Sequence, residues 1–206
     1  MKERVVVFCS DGYCSIGLIR ALGEAGYMPE CYCYGTDGRY VLASRYVKKG
    51  IIFSTEKEAI NYLLNDYPVY ECKPVLFTFP DMPAYLVDEH QSILKNKFIL
   101  MTAGEQGMIG YWMSKWNLRE LAQKHGFEVP WMIEMSKSDE VPDTMEYPVF
   151  VKSIRTVDGR GKFDEDVCRN KDDLERMKST ISSDRFLVMK YVKKKQRLKC
   201  YISKNM

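Results

Sequence analysis

The sequence predicts a two-domain protein of the α/β class, in which a parallel-sheet domain precedes a smaller α+β domain. In the first half, short β-branched apolar runs alternate with amphipathic helical stretches, as in parallel sheets covered by helices. This pattern ends where Gly104, Gly107 and Gly110 follow one another. In the second half, strands joined by short connections predict an antiparallel sheet with helices on one side. We therefore expect domains at residues 1–109 and 110–206.

Length and composition are those of an ordinary globular protein, and they exclude several classes. The chain has 206 residues, of which 46% are hydrophobic and 29% charged. A net charge of +3 is too small to indicate nucleic-acid binding. No apolar run approaches the length of a membrane span, and the first residues lead into a strand rather than a signal peptide. Seven cysteines without a CxxC pair predict free thiols in a reducing cytoplasm.

The first elements of the first domain follow from its apolar runs and helix caps. Residues 4–9 predict a buried parallel strand. Ser15 is positioned to cap the next helix, which Gly26 ends, and residues 30–34 predict the second strand.

The rest of the first domain adds two helices and a strand. Thr55 and Glu58 form a capping box at the start of one helix. Residues 75–79 predict another strand, and Asp81 begins a helix that continues to Leu94.

In the second domain, capping residues again mark the helices. Ser114 begins a helix that Gly126 ends, and Asn170 begins another. The predicted strands are residues 147–152, a stretch around 163–168, and residues 186–192.

One stretch of the second domain has the pattern of a phosphate site. A strand ends in Lys152, and a loop containing Gly159, Arg160, Gly161 and Lys162 follows. Glycines let backbone N–H groups approach phosphate oxygens, and basic side chains offset the phosphate charge. An edge hairpin with solvated basic side chains explains the same residues, and both interpretations stay open on this stretch alone.

Other candidate sites have simpler explanations. Gly12 and Gly17 lack the GxGxxG spacing of a dinucleotide site, so we interpret the turn after the first strand as structural. We interpret His90 as a core histidine with a satisfied hydrogen bond, and His125 as a favourable charge at a helix C-terminus. We interpret the acidic run at residues 164–166 as solvated surface rather than a magnesium site.

The C-terminal segment is strongly basic. From Arg185 to Met206 there are eight basic residues and no acidic one. An RNA- or membrane-binding strip explains this composition, and so does a chain end that belongs to a larger fold.

Five motifs, in order, give the second half a resemblance to a known family. Lys115 opens a helix, residues 125–130 resemble a "GIPVP" turn, and residues 147–152 resemble a "YPVVVK" strand. Residues 158–162 resemble a glycine-rich phosphate loop, and residues 186–192 resemble a "vlvqeyi" hinge strand. Together these motifs resemble the first lobe of the ATP-grasp fold.

Residues 1–109 resemble the domain that precedes the ATP-grasp fold in such ligases. Residues 44–47 and 73–77 resemble segments of bacterial carboxylate–amine ligases, relatives of the carbamoyl-phosphate synthase large chain. The resemblance implies a Rossmann-like parallel-sheet domain followed by the first α+β lobe of an incomplete ATP-grasp domain. It also implies ATP and magnesium as cofactors, and a reaction in which a carboxylate becomes an acyl phosphate that an amine attacks.

The resemblance implies a set of nucleotide-binding residues as well. Two lysines would contact ATP phosphates and the adenine side of the cleft. The glycine loop would close over the β- and γ-phosphates, and the hinge strand would meet the adenine edge. The residues implied are Lys115, Lys152, Ser153, Gly159, Gly161, Lys162, Met189, Lys190 and Val192.

Two departures from the family pattern modify these expectations. Residues 193–196 are Lys-Lys-Lys-Gln, where the family has an acidic residue for the ribose hydroxyls. The second lobe, which carries the magnesium ligands, does not follow Val192, so we expect this chain alone to be catalytically inactive. The alternatives are a non-catalytic module that senses a nucleotide or binds a partner, and a nucleic-acid binder acting through the basic tail. An exposed sheet edge would favour a homo-oligomer.

Overall fold

The computed structural model describes residues 3–35, 39–158 and 164–193. The chain divides into two compact units, one ending at Leu118 and the other beginning at Arg119. No helix within these three ranges is long and apolar enough to cross a membrane.

The first unit is built on a five-stranded parallel sheet in the order β3-β2-β1-β4-β5. This arrangement confirms the predicted α/β class. The strands are β1 (Val5–Ser10), β2 (Glu30–Tyr34), β3 (Lys49–Phe53), β4 (Val75–Phe79) and β5 (Ile99–Leu100). The helices are α1 (Tyr13–Glu24), α2 (Arg39–Leu42), α3 (Glu56–Asn61, continued by a π-helical turn, Tyr62–Asp66), α4 (Asp81–Glu89), α5 (Gln91–Leu94) and α6 (Met108–Met113). Helix α7 (Lys115–Lys124) begins in this unit and continues into the second.

Strand alternation gives this sheet two separate apolar layers. On one face Phe8 and Tyr32 are buried with the residues of α3, and on the other Cys9, Cys31 and Cys33 are buried against α1. Cysteine alternates with tyrosine in β2 because the two faces of this strand have different neighbours. All six cysteines in the described ranges are free thiols.

Two predictions about helix ends in the first unit are wrong. Ser15 does not cap α1, because Gly12 precedes the helix and the Ser15 hydroxyl instead donates to the Ser10 carbonyl at 2.7 Å. The helix that begins at Asp81 ends at Glu89, since His90 leaves the helical conformation before α5 begins. The His90 ring Nδ1 lies 2.9 Å from the Leu86 carbonyl oxygen, which matches a histidine satisfied by local structure.

The Thr55 cap of α3 is confirmed, but the reciprocal bond of the predicted capping box comes from Ser54 rather than from Thr55. The Glu58 backbone N–H donates to the Thr55 hydroxyl at 3.2 Å, and the Glu58 carboxylate accepts from the Ser54 N–H at 3.0 Å. Both bonds satisfy N–H groups near the first turn, which has no intrahelical acceptors.

The second unit contains a four-stranded antiparallel sheet in the order β6-β9-β7-β8, as predicted for this half. The strands are β6 (Met132–Ser136), β7 (Val149–Ser153), β8 (Glu165–Cys168) and β9 (Arg185–Lys190), and helix α8 spans Lys171–Thr180. Asn170 caps α8 as predicted, since its side chain accepts from the Asp173 N–H at 2.8 Å. Leu174 and Met177 of α8 pack with the buried strand residues on one face of the sheet.

A buried carboxylate joins three strands at the amino edge of the parallel sheet. Glu30, the first residue of β2, is 2% exposed. Its carboxylate lies 3.7 Å from Arg4 Nε and 3.4 Å from Lys49 Nζ, and it accepts from the Tyr67 hydroxyl at 3.2 Å. Burial and the Glu30 charge together raise the pKa of Tyr67, so its hydroxyl remains a donor. This network links the start of β2 to the segments before β1 and β4.

We expect Glu30→Ala to destabilise the protein by about 2–3 kcal/mol, because it removes the shared acceptor of a buried network. Urea unfolding followed by circular dichroism measures the change. Glu71→Ala removes an exposed carboxylate from the same unit and serves as the control. Equal losses in the two variants would contradict the role given to Glu30.

Candidate functional site

The candidate nucleotide-binding surface is one face of the antiparallel sheet. Lys152 pairs with Leu187 across β7 and β9, and Phe150 pairs with Met189. On the other side of β7, Lys152 pairs with Glu165. Side chains of directly opposed residues lie on the same face of a sheet, so these five share one face, here named the Lys152 face. Leu187 is fully buried on it, whereas Lys152 and Glu165 are partly exposed. The opposite face of the sheet carries the apolar core packed against α8.

The ammonium group of Lys152 is paired within this face. Its Nζ lies 2.7 Å from Glu165 Oε2, and the two side chains are 33% and 26% exposed. The same Nζ lies 6.0 Å from the centroid of the Phe150 ring. A partly buried cation above apolar side chains attracts anions more strongly than a fully solvated one, because water screens it less. Phosphate oxygens are suitable partners for such a cation.

Strand alternation separates other predicted residues from this face. Ser153 is 2% exposed and pairs with buried Phe186, so its side chain lies on the core side of β7. The Lys190 backbone N–H donates to the Trp131 carbonyl at 3.0 Å, while its side chain is exposed. Val192 lies past the end of β9 and is 61% exposed. Of the predicted residues, the sheet brings Lys152 and Met189 onto one surface.

The remaining predicted residues lie elsewhere in the chain. Lys115 is the first residue of α7 and belongs to the first unit. The Ser114 hydroxyl accepts from the Asn117 N–H at 3.4 Å, so the helix begins where the sequence predicts. Gly159, Gly161 and Lys162 lie outside the described residues.

Both flanks of the glycine loop are held by two consecutive serines in the four-residue turn between α8 and β9. Ser182 donates its backbone N–H to the Asp164 carboxylate at 3.0 Å, and its hydroxyl donates to the same carboxylate. Ser183 donates its hydroxyl to the Asp158 carbonyl at 2.8 Å. The Asp158 carboxylate also receives two N–H groups of Arg155 in a fork at 2.8–3.1 Å. The turn between α8 and β9 therefore fixes the chain on each side of residues 159–163.

The acidic run at residues 164–166 requires a correction, because it is not simply solvated surface. Asp164 is fully buried and accepts from Ser182, and Glu165 pairs with Lys152. Only Asp166 is exposed, and it accepts from the Val167 backbone N–H at 2.7 Å. Each carboxylate thus has a separate partner. No group of three or more potential metal ligands occurs in the part of the chain that the structure describes.

A cleft of about 550 Å³ lies in the first unit at the carboxyl ends of β1 and β2. Asp11 at this edge accepts from the Val41 N–H at 3.0 Å, which ties α2 to the turn after β1. Tyr13 and Tyr40 line the cleft and are 87% and 70% exposed. Burial raises the pKa of Tyr34, a third tyrosine of the lining, to about 12. Open α/β sheets bind ligands outside the carboxyl ends of their strands. This rule could have identified the cleft, although the sequence pattern predicts only a structural turn after β1.

Comparison with known proteins gives matches in solved structures only. No family model matches, and no curated protein matches. The L-amino acid ligase from Bacillus licheniformis superposes with a TM-score of 0.63 at 12% identity, covering 93% of this chain and 45% of that one. The N5-carboxyaminoimidazole ribonucleotide synthetase from Thermotoga maritima gives a TM-score of 0.58 at 13% identity, covering 92% and 46%.

A third structure is the D-alanine–D-alanine ligase from Bacillus anthracis in complex with ATP, with a TM-score of 0.57 at 15% identity. The match covers 93% of this chain and 60% of that one. The present chain therefore spans about half the length of the first two ligases and somewhat more of the third. At these identities the likeness establishes the fold, which is that of the N-terminal portion of these proteins.

We expect Asp164→Ala to destabilise the second unit by about 2 kcal/mol, because two Ser182 donors lose a buried acceptor. Asp166→Ala, which removes the exposed carboxylate two residues along, is the matched control and should cost a few tenths of a kcal/mol. Thermal unfolding of both variants tests the difference. A loss for Asp166→Ala as large as that for Asp164→Ala would refute the assignment.

Proposed function

We propose that this chain, which has the fold of the N-terminal portion of the ATP-grasp ligases, belongs to an enzyme that uses ATP to join a carboxylate to an amine. The observation that carries the proposal is the partly buried ammonium group of Lys152 on the same sheet face as Met189. The fold likeness supports it, because an L-amino acid ligase and a D-alanine–D-alanine ligase in complex with ATP are among the similar structures.

The Lys152 face suits a nucleotide because it combines a cation with apolar side chains. Lys152 would donate charge-assisted hydrogen bonds to phosphate oxygens. Met189 and Phe150 would pack against the adenine ring, since a thioether and an aromatic ring both accept flat apolar partners. The backbone of Lys190, the last residue of β9, and that of Val192, two residues further on, would meet the adenine edge. The Lys190 N–H is already bonded to the Trp131 carbonyl, so Lys190 would contribute its carbonyl group.

The family resemblance adds five further residues to the proposal. Ser153 would act through its backbone, because its side chain is buried on the core side of β7. Lys115 would contact phosphates from the start of α7. Gly159, Gly161 and Lys162 would bind the β- and γ-phosphates through N–H groups and an ammonium charge.

In the proposed reaction, a carboxylate oxygen attacks the γ-phosphorus of ATP, which gives an acyl phosphate and releases ADP. Attack of the amine nitrogen on the carbonyl carbon then expels phosphate, and loss of a proton from the nitrogen leaves an amide. Lys152 would offset negative charge on the phosphates, the main task of the protein in phosphoryl transfer. Because no group of three or more potential metal ligands occurs among the described residues, we assign them no metal step. Metal ligands would come from residues outside the described ranges.

The alternative is a non-catalytic module that senses a nucleotide or binds a partner. It is favoured by the separate pairing of each carboxylate in the acidic run, which leaves no acidic cluster for a metal among the described residues. A nucleic-acid binder acting through the basic tail ranks behind both, and residues 194–206 of that tail lie outside the described ranges.

Compartment and assembly are part of the proposal. Free thiols at all six described cysteines favour the reducing cytoplasm. β3 forms an exposed edge of the parallel sheet, with Ile51 and Ile52 38% and 42% exposed, so a second copy of this chain is a suitable partner. We propose the two substrates by chemical class only, as a carboxylate and an amine.

We expect the chain to bind ATP or ADP, and Lys152→Met to weaken binding about tenfold or more, because a charge-assisted bond to phosphate is lost. Isothermal titration calorimetry measures both. Lys137→Met, which removes an exposed lysine from the same unit, is the matched control. No measurable heat at millimolar nucleotide, or equal weakening by the control, would contradict nucleotide binding at Lys152.

A second measurement tests whether this chain alone is inactive. We expect the 206-residue chain, given ATP, magnesium, carboxylates and amines, to release no phosphate above the blank, since phosphoryl transfer needs a bound metal. Phosphate release would contradict this expected inactivity. The coding DNA beyond the Met206 codon then distinguishes the two functions. A downstream lobe with acidic and asparagine residues supports the ligase, and its absence in all three frames favours the sensing module.

A further inference from the structure

We propose that Glu165 acts as an internal substitute for phosphate on Lys152, and that a bound nucleotide must displace this carboxylate. The inference rests on the proposed function, because it takes Lys152 as the nucleotide-binding lysine. Glu165 thereby becomes a residue that sets nucleotide affinity, although it need not touch the nucleotide.

The geometry of the pair supports an exchange of one anion for another. Glu165 and Lys152 are direct register partners on β8 and β7, with 2.7 Å between Oε2 and Nζ. A phosphate oxygen that binds the same Nζ must come close to this carboxylate. Two anions on one ammonium repel each other, and the repulsion is only partly screened because both side chains are about two-thirds or more buried.

The backbone of Glu165 is fixed, so the pair is a built feature of the sheet. Buried Asp164, the preceding residue, accepts the N–H and hydroxyl of Ser182. Residues 165–168 are paired with β7 in an antiparallel ladder. The side chain of Glu165 can change rotamer while its Cα stays opposite Lys152, which is what displacement requires.

Other charges on this face do not take the place of Glu165. Glu134 of β6 has its own cation, since its carboxylate lies 2.6 Å from Arg185 Nε on the neighbouring strand. Asp166 pairs with Val151 in the register and therefore points to the other face of the sheet. Among the described residues, Glu165 is the carboxylate paired with Lys152.

The test measures ADP and ATP affinity by calorimetry in the wild type, Glu165→Gln and Asp166→Asn. Glutamine keeps the shape of the side chain and removes its charge, so we expect Glu165→Gln to bind about three- to tenfold more tightly. Asp166→Asn makes the same charge change one residue away on the opposite face, and should change the affinity less than about twofold. Glu165→Asp keeps the charge on a shorter side chain and should give an intermediate affinity.

The outcomes distinguish this inference from the proposed function. The gain in Glu165→Gln should vanish when it is combined with Lys152→Met. Unchanged or weaker binding in Glu165→Gln, with wild-type binding still dependent on Lys152, would overturn the inference and leave the proposed function standing. Wild-type binding that Lys152→Met does not weaken would overturn both. Matching urea midpoints establish that all variants are folded.

Discussion

The register of β7 between its two neighbours is the constraint on which the candidate site depends. Val149 and Val151 are fully buried in the core of the second unit, and this fixes which side chains of β7 point toward α8. Because strand side chains alternate, Lys152 must point to the other face, where it meets Glu165 and Leu187. A slip of one residue would move the Lys152 ammonium group into the apolar core and expose the two valines. The burial of the valines on one face therefore fixes the position of Lys152 on the other.

The predictable parts of this structure are those with a local cause. Thr55 and Asn170 mark helix starts because each side chain accepts a hydrogen bond from the backbone N–H three residues later. This bond is local and does not depend on the rest of the fold. The apolar runs of β1 and β7 predict strands because the residues are β-branched and mostly buried. Ser15 also carries a hydroxyl that could cap a helix, but in the structure this hydroxyl donates to the Ser10 carbonyl. Which bond forms depends on the conformation of the turn after β1.

Features that depend on distant pairing could not be predicted in the same way. Asp164, Glu165 and Asp166 are consecutive acidic residues with three different environments, and these differ because Ser182 and Lys152 approach from other strands and turns. Pattern alone assigns all three to solvent. The sequence does not predict β3, because its five residues include a lysine and a glycine and show no hydrophobic periodicity. The structure agrees with this pattern, since the strand is largely exposed.

The turn at Ser182 and Ser183 has a consequence for how the protein can vary. Ser183 donates its hydroxyl to the Asp158 carbonyl, and Ser182 donates to the buried Asp164 carboxylate. The last described residue after β7 and the first before β8 are therefore both bonded to the segment that leads into β9. A substitution at either serine would thus disturb the ends of two strands at once, although neither serine belongs to a strand.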